Sequence, residues 1–212
     1  MIYLIGGPPK CGKTTLAKQL SRKKSIPWLS TDTLQSVIKP YLDPESLPEK
    51  FPVSYQRGKS NDEKYVKYST QEIISAYRGQ AKTVFRAMEM FALCELTDGN
   101  DYILEGYHLE PEVAHKLLSK HPGKIKSIFL LKTDTKKFIQ DIKKSSTPND
   151  WIIQRTQKEE TYQKIAEMIC AYSQSIEKEA GKHSLESINM DQDFNKKIKT
   201  ALQTLTRPKV QP

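Results

Sequence analysis

The sequence predicts an α/β protein, a parallel sheet with helices on both faces. Short apolar runs alternate with longer segments whose apolar residues recur at helical spacing. That rhythm calls for right-handed crossovers between parallel strands. The first apolar run ends in a glycine- and proline-rich turn that leads straight into a helix-forming run. A length of 212 residues with 37% hydrophobic and 28% charged residues suits one globular domain with a sizeable core.

The elements follow in order. Residues 2–5 (IYLI) read as the first strand and 16–24 as the first helix. Residues 26–30 (IPWLS) are the next extended segment, and 32–42 a helix that Pro40 ends or kinks. Residues 43–100 interrupt the alternation. Their first part, DPESLPEKFPVSYQRGKSNDEKY, is polar and proline-punctuated and reads as a surface excursion, while 69–96 is helical despite Gly79. Together they form a helical insert over one end of the sheet. Strands return at 101–106, 124–133 and 184–190, separated by helices at 111–120, 134–144, 157–181 and 192–205. The chain thus reads as one domain over 1–206, with the insert at 43–100, a lid-like segment at 145–158 and a frayed tail at 207–212.

Composition excludes several classes. No apolar run approaches the roughly 20 residues that span a bilayer, and the start, MIYLIGG, lacks the pattern of a signal peptide; a cytoplasmic protein is expected. Cys11, Cys94 and Cys170 fit neither a disulfide framework nor a zinc site. The net charge of +9 is spread in short lysine clusters interleaved with carboxylates. This reads as a solvated basic surface that favours phosphate-bearing small molecules rather than nucleic acid.

The turn after the first strand carries the chemistry. Residues 7–14, Gly7-Pro8-Pro9-Lys10-Cys11-Gly12-Lys13-Thr14, match G-x-x-x-x-G-K-[ST] between a strand and a helix. Glycine lets the backbone wrap closely round a polyphosphate, and the helix start favours negative charge. Lys13 then supplies a cation for the β and γ phosphates, the Thr14 hydroxyl ligates magnesium, and Thr15 supports the α phosphate. The Cys11 thiol, beside the helix start, is expected to be activated.

Three further places discriminate among phosphate-loop proteins. LSTDT (29–33) puts Asp32 at the carboxyl end of a strand, the ligand edge of open α/β sheets. There it acts as a base for an acceptor hydroxyl or, equally open from the sequence, Ser30, Thr31 or Asp32 caps the next helix. DYILEGYHLEP (101–111) places Glu105 beside the phosphate loop as a magnesium-associated carboxylate, if its strand neighbours the first. Gly106 then admits a ligand and His108 bonds the substrate. KKSSTPNDWIIQRTQKEE (143–160) reads as a mobile lid whose Arg155 reaches the phosphates, with Trp151 packing as its anchor. Arg78 and Arg86, eight residues apart on the insert helix, face the acceptor site, and Arg57 is a weaker candidate.

GGPPKCGKTT, LSTDTLQSVIKPY and ILEGYHLEP together resemble the kinases grouped with 2-phosphoglycerate kinase, within the adenylate-kinase-like P-loop phosphotransferases. The resemblance implies a five-stranded parallel core in the order 2-3-1-4-5, ATP with magnesium (Mg2+) as cofactors, and transfer of the γ-phosphate to a small-molecule acceptor by a monomer or homodimer. GGPP…GKTT with a carboxylate after the second strand also resembles zeta-toxin and antibiotic phosphotransferases. A non-catalytic ATP-binding regulatory module is the alternative from another class, its GTPase form disfavoured by the absence of Asn-Lys-x-Asp after the fourth strand.

Overall fold

The computed structural model describes residues 1–145, 147 and 150–207. Ser146, Pro148 and Asn149 of the expected lid, and 208–212 of the expected tail, lie outside the described residues. At its centre five short strands pair in parallel: β1 (Ile2–Gly6), β2 (Trp28–Ser30), β3 (Tyr102–Glu105), β4 (Ile125–Leu131) and β5 (Ser187–Asn189). Their order is β2-β3-β1-β4-β5, as the family resemblance implied. Every residue of β1 is buried, because helices cover both faces of a parallel sheet and leave no side for polar alternation.

Helix α1 (Lys13–Lys24) follows the phosphate-loop motif, and α2 (Thr31–Ile38) follows β2. Pro40 has the expected effect: α2 stops at Ile38 and a 3-10 turn, Lys39–Tyr41, replaces its last turn. The segment read as a surface excursion is more ordered and more buried than expected. It forms a 3-10 turn at Pro44–Ser46 and the helices α3 (Leu47–Lys50), α4 (Pro52–Tyr55) and α5 (Asn61–Lys67), with Phe51 and Tyr65 buried. The physical reason lies in the prolines. Pro44, Pro48 and Pro52 occupy the first or second position of these turns, where a missing N–H breaks no helical bond, so they start helices rather than interrupt them.

Helix α6 (Thr70–Thr97) runs through Gly79 and opens with a capping box. Ser69 Oγ accepts from the Glu72 amide at 3.3 Å, and Glu72 Oε2 accepts from the Ser69 amide at 2.8 Å. The remaining helices are α7 (Pro111–Lys120), α8 (Thr135–Lys143), α9 (Trp151–Arg155), α10 (Glu159–Lys182) and α11 (Phe194–Thr206). α1 and α11 pack on each other across one face of the sheet; α6, α7 and α10 cover the other.

Glu110 stands just before α7, but its side chain caps nothing. It is buried against α10, where the Tyr172 hydroxyl donates to Oε1, and burial pushes its pKa up to about 7. Below about pH 4.5 both folded and unfolded states carry the proton and stability is unaffected. Between there and pH 7 the unfolded carboxyl ionises while the folded one resists, so stability falls as pH rises, by roughly 3 kcal/mol in all. Glu110→Gln, an isostere of the protonated acid, is expected to remove this loss. Chemical denaturation at pH 5 and pH 8 checks it: the variant gains on the wild type at pH 8 and matches it at pH 5.

Candidate active site

The phosphate-loop motif forms the turn between β1 and α1. Gly12 holds a left-handed φ of 95° immediately before the helix, and a Cβ there would lie 2.7 Å from the Phe194 ring. Lys13 is 8% exposed, and its Nζ donates to the Pro8 carbonyl at 2.7 Å. Its ammonium therefore rests on a neutral acceptor that a phosphate oxygen can replace with gain. Thr14 Oγ1 donates to Glu105 Oε1 at 3.0 Å.

Sheet register aligns the second part of the site. Glu105 pairs with Ile5 on one side and Ser30 on the other, so the ends of β1, β2 and β3 stand level. Glu105 is buried, and burial raises its pKa against the pull of the Lys13 ammonium and the Thr14 hydroxyl. One strand further out, Ser30 Oγ accepts from the Asp32 amide at 3.3 Å. The serine is the cap of α2, which leaves the Asp32 carboxylate unused by the helix start and 65% exposed. Withdrawal from bulk water by the surrounding walls nevertheless raises its pKa, again opposed by Lys13.

A buried polar network fixes α2 beneath that carboxylate. His108 is fully buried; Nδ1 lies 2.8 Å from Thr31 Oγ1 and Nε2 lies 2.9 Å from Gln35 Oε1. Gln35 Oε1 also accepts from Gln80 and from the Tyr107 hydroxyl, which assigns the His108 proton to Nε2 and leaves Nδ1 to accept from Thr31. Burial, then Lys13, depress the His108 pKa to about 3. The ring is neutral, so its 3.8 Å approach to Asp32 Oδ1 is no ion pair. Gly106 has to be glycine here, since a Cβ would sit 1.8 Å from Thr31 Oγ1.

These elements open onto one cavity of about 930 Å3. Pro9, Lys10, Gly12, Lys13, Thr14 and Thr15 line it from the phosphate loop, and Asp32, Glu105 and Gly106 from the strand ends. The rest of the loop is placed differently. Gly7 and Pro8 are buried beneath the loop. Lys10 reaches the cavity but pairs with Asp150 at 2.8 Å, tying the loop to the start of α9. Cys11 is buried with its pKa pushed up to about 11 by desolvation, so the helix start does not activate it.

Arg155 does not line the cavity; its Nη2 donates to the carbonyls of Arg57 and Gly58 at 3.0 and 2.7 Å, bracing α9 against the insert. Arg78 is held by Ser175 and Glu179 on α10, and Arg86 is a surface residue paired with Glu89. Neither lines the cavity, although Tyr77, the neighbour of Arg78 on α6, does. His108 touches α2 instead of the cavity, because both its ring nitrogens are already bonded.

The sequence reading missed the other half of the lining: Lys132, Lys137, Lys144, Tyr77, Tyr107 and Phe194. Lys132 is buried and pairs with Asp141 at 2.7 Å, and Lys137 pairs with the same carboxylate. Two ammoniums share one carboxylate there, and Asp191 and Asp193 bring further negative charge to the same lining. The signal was available: Lys132 directly follows β4, the same strand-end position that singled out Asp32 and Glu105.

No family model matches the chain. The 2-phosphoglycerate kinase of Pyrococcus furiosus is 29% identical over 112 residues, which is 52% of this chain and 36% of that protein. The mevalonate-3-phosphate 5-kinase of Thermoplasma acidophilum is 28% identical over 121 residues, 57% of each chain. The matches thus span only part of these relatives' lengths. Among solved structures, a gluconokinase from Sinorhizobium meliloti superposes with a TM-score of 0.55 at 13% identity, covering 97% of this chain and 91% of that one. No helix among the described residues is long and apolar enough to cross a membrane. With its parallel 2-3-1-4-5 sheet and a G-x-x-x-x-G-K-T turn after the central strand, the chain has the fold of the P-loop small-molecule kinases.

Proposed function

We propose that the protein is an ATP-dependent phosphotransferase that moves the γ-phosphoryl group to a hydroxyl of a small metabolite. One observation carries this reading: a single cavity holds a phosphate-loop lysine that has no carboxylate partner among the described residues and, across the strand ends, an Asp32 carboxylate that leaves the cap of α2 to Ser30. A switch protein needs the first of these and not the second. On this reading Tyr77 of the insert stands at the acceptor end of the cavity and Trp151 at its nucleotide end.

Lys13 leaves the Pro8 carbonyl for the β and γ phosphates, and Lys132 with Lys137 adds positive charge on the opposite wall. The Thr14 hydroxyl and Glu105 carboxylate, 3.0 Å apart, are hard oxygen donors that suit magnesium together with phosphate oxygens and water. Held by these two residues, magnesium would neutralise charge on the phosphates. Asp32 accepts the proton of the acceptor hydroxyl at its carboxylate oxygen, oriented by the Thr31–His108–Gln35 network. Phe194 and Trp151 offer aromatic walls for the base.

The two curated relatives are named for different acceptors, so the hydroxyl-bearing partner is sought directly. Incubation with labelled ATP, magnesium and a panel of phosphorylated sugars, glycerates, nucleosides and aminoglycosides is expected to yield one phosphorylated acceptor by mass analysis. Nucleotide hydrolysis alone, with no acceptor gaining mass, would overturn the kinase reading in favour of a regulatory ATPase.

A further inference from the structure

The charges of the catalytic cavity are sorted along the sheet edge. All five lysines of its lining belong to the phosphate loop or to residues 132–144 after β4: Lys10, Lys13, Lys132, Lys137 and Lys144. The sheet order puts β3 and β2 on the opposite side of β1 from β4. That half of the lining offers Trp28 on β2, Asp32 at the start of α2, Glu105 and Tyr107 at the end of β3, and Tyr77 on α6, whose ring meets that of Tyr107 edge-on at 4.9 Å. Among the described residues no ammonium or guanidinium lines it. Arg78 and Arg86 are held away by Glu179 and Glu89. Two ammoniums stand over the rings without joining the lining, Lys18 at 5.8 Å from the centre of Trp28 and Lys64 at 5.6 Å from that of Tyr77.

Tyr77 is 5% exposed, yet its hydroxyl makes no hydrogen bond among the described residues, whereas the Tyr107 hydroxyl donates to Gln35 Oε1 at 3.2 Å. Stacking on Tyr172 at 5.8 Å and the edge contact with Tyr107 fix the Tyr77 ring. A held ring with an unused hydroxyl on a cavity wall is a ready hydrogen-bonding group for a ligand. On the kinase reading magnesium takes Glu105, so Asp32 is the charge an acceptor meets. An anionic substituent in this half would face that carboxylate with no lining cation to pair it. Sugar C–H groups and amines, by contrast, suit aromatic faces beside a carboxylate.

We infer that the acceptor carries no anionic group: it is a neutral or amine-bearing polyol that lies on the Trp28, Tyr77 and Tyr107 rings and hydrogen-bonds the Tyr77 hydroxyl. The γ-phosphoryl replaces the proton of one of its hydroxyls, Asp32 receives that proton, and ADP departs. The transfer step rests on the kinase reading; the binding preference of this half of the cavity does not. The preference sets the chain apart from the two curated relatives, both named for phosphorylated acceptors.

The test titrates the MgADP complex calorimetrically with sugars, nucleosides and aminoglycosides, each sugar and nucleoside paired with its phosphorylated form and each sugar also with its carboxylated one. Uncharged or amine-bearing members are expected to bind, and their anionic counterparts at least about tenfold more weakly. Tyr77→Phe is expected to weaken the tightest of them by about three- to tenfold, the scale of one neutral hydrogen bond. Its affinity for MgADP should stay unchanged, which a merely damaged variant would not preserve. The inference is overturned by an anionic member that binds as tightly as its uncharged partner, by the failure of every uncharged and amine-bearing member to bind, or by an unaltered affinity in Tyr77→Phe. The two readings fail separately. A neutral compound that binds but gains no phosphoryl group from MgATP removes the kinase reading and leaves this one, whereas transfer to a phosphorylated or carboxylated acceptor removes this one alone.

Discussion

Lys13→Ala is expected to abolish tight binding of MgATP and, with it, turnover. The lysine is 8% exposed and its ammonium donates to the neutral Pro8 carbonyl, and among the described residues it forms no ion pair. Truncation leaves the triphosphate facing backbone amides without the cation that moves onto its β and γ oxygens. Removing one partner of a buried charge pair costs roughly 2–5 kcal/mol, which is about 30-fold to several-thousand-fold in affinity. Calorimetric titration reads this directly. Wild-type affinity in the variant would mean that the triphosphate does not lie in this loop. The fold loses the hydrogen bond to Pro8 and the cation that opposes desolvation of the Glu105 and Asp32 carboxylates, so a shifted melting temperature with a retained cooperative transition is expected alongside.

What the sequence made legible follows from how each feature is encoded. β1, α1 and the strand-end carboxylates Asp32 and Glu105 depend on local pattern and on parallel-sheet topology, and both are written within a few residues. Asp32 is a useful case. Sequence alone left Ser30, Thr31 and Asp32 competing for the cap of α2, and only the bond from the Asp32 amide to Ser30 Oγ separates them. The failures share a cause. Arg155, Arg78 and Arg86 were placed by charge and segment, but a long side chain bonds whatever the tertiary packing offers within its reach. For Arg155 that is two carbonyls of the insert, and for Arg78 it is Glu179, 101 residues away. His108 misled for the opposite reason: its position after a strand end pointed to a ligand, whereas its neighbours Thr31 and Gln35 satisfy both ring nitrogens.

Asp32→Asn is expected to lower phosphoryl transfer by about 100-fold or more, the scale of a positioned general base, while ATP affinity stays unchanged. The separation is sharp because Ser30, not Asp32, caps α2, so amidation leaves the helix start and its supporting network in place. It is also asymmetric: the site keeps Lys13, Thr14 and Glu105 for the nucleotide and loses only the group that accepts a proton. The pH profile supplies a second readout. Asp32 must be ionised to act as a base, and its pKa is raised because desolvation in the cavity outweighs the Lys13 charge. Activity should therefore fall on the acid side through a pKa above the usual carboxylate value, and this limb should vanish in the asparagine variant's residual rate. Steady-state kinetics across pH, with ATP saturating, measures both effects. Unchanged turnover, or an acid limb that survives in Asp32→Asn, would remove the aspartate from the chemistry and shift the proton's destination to water.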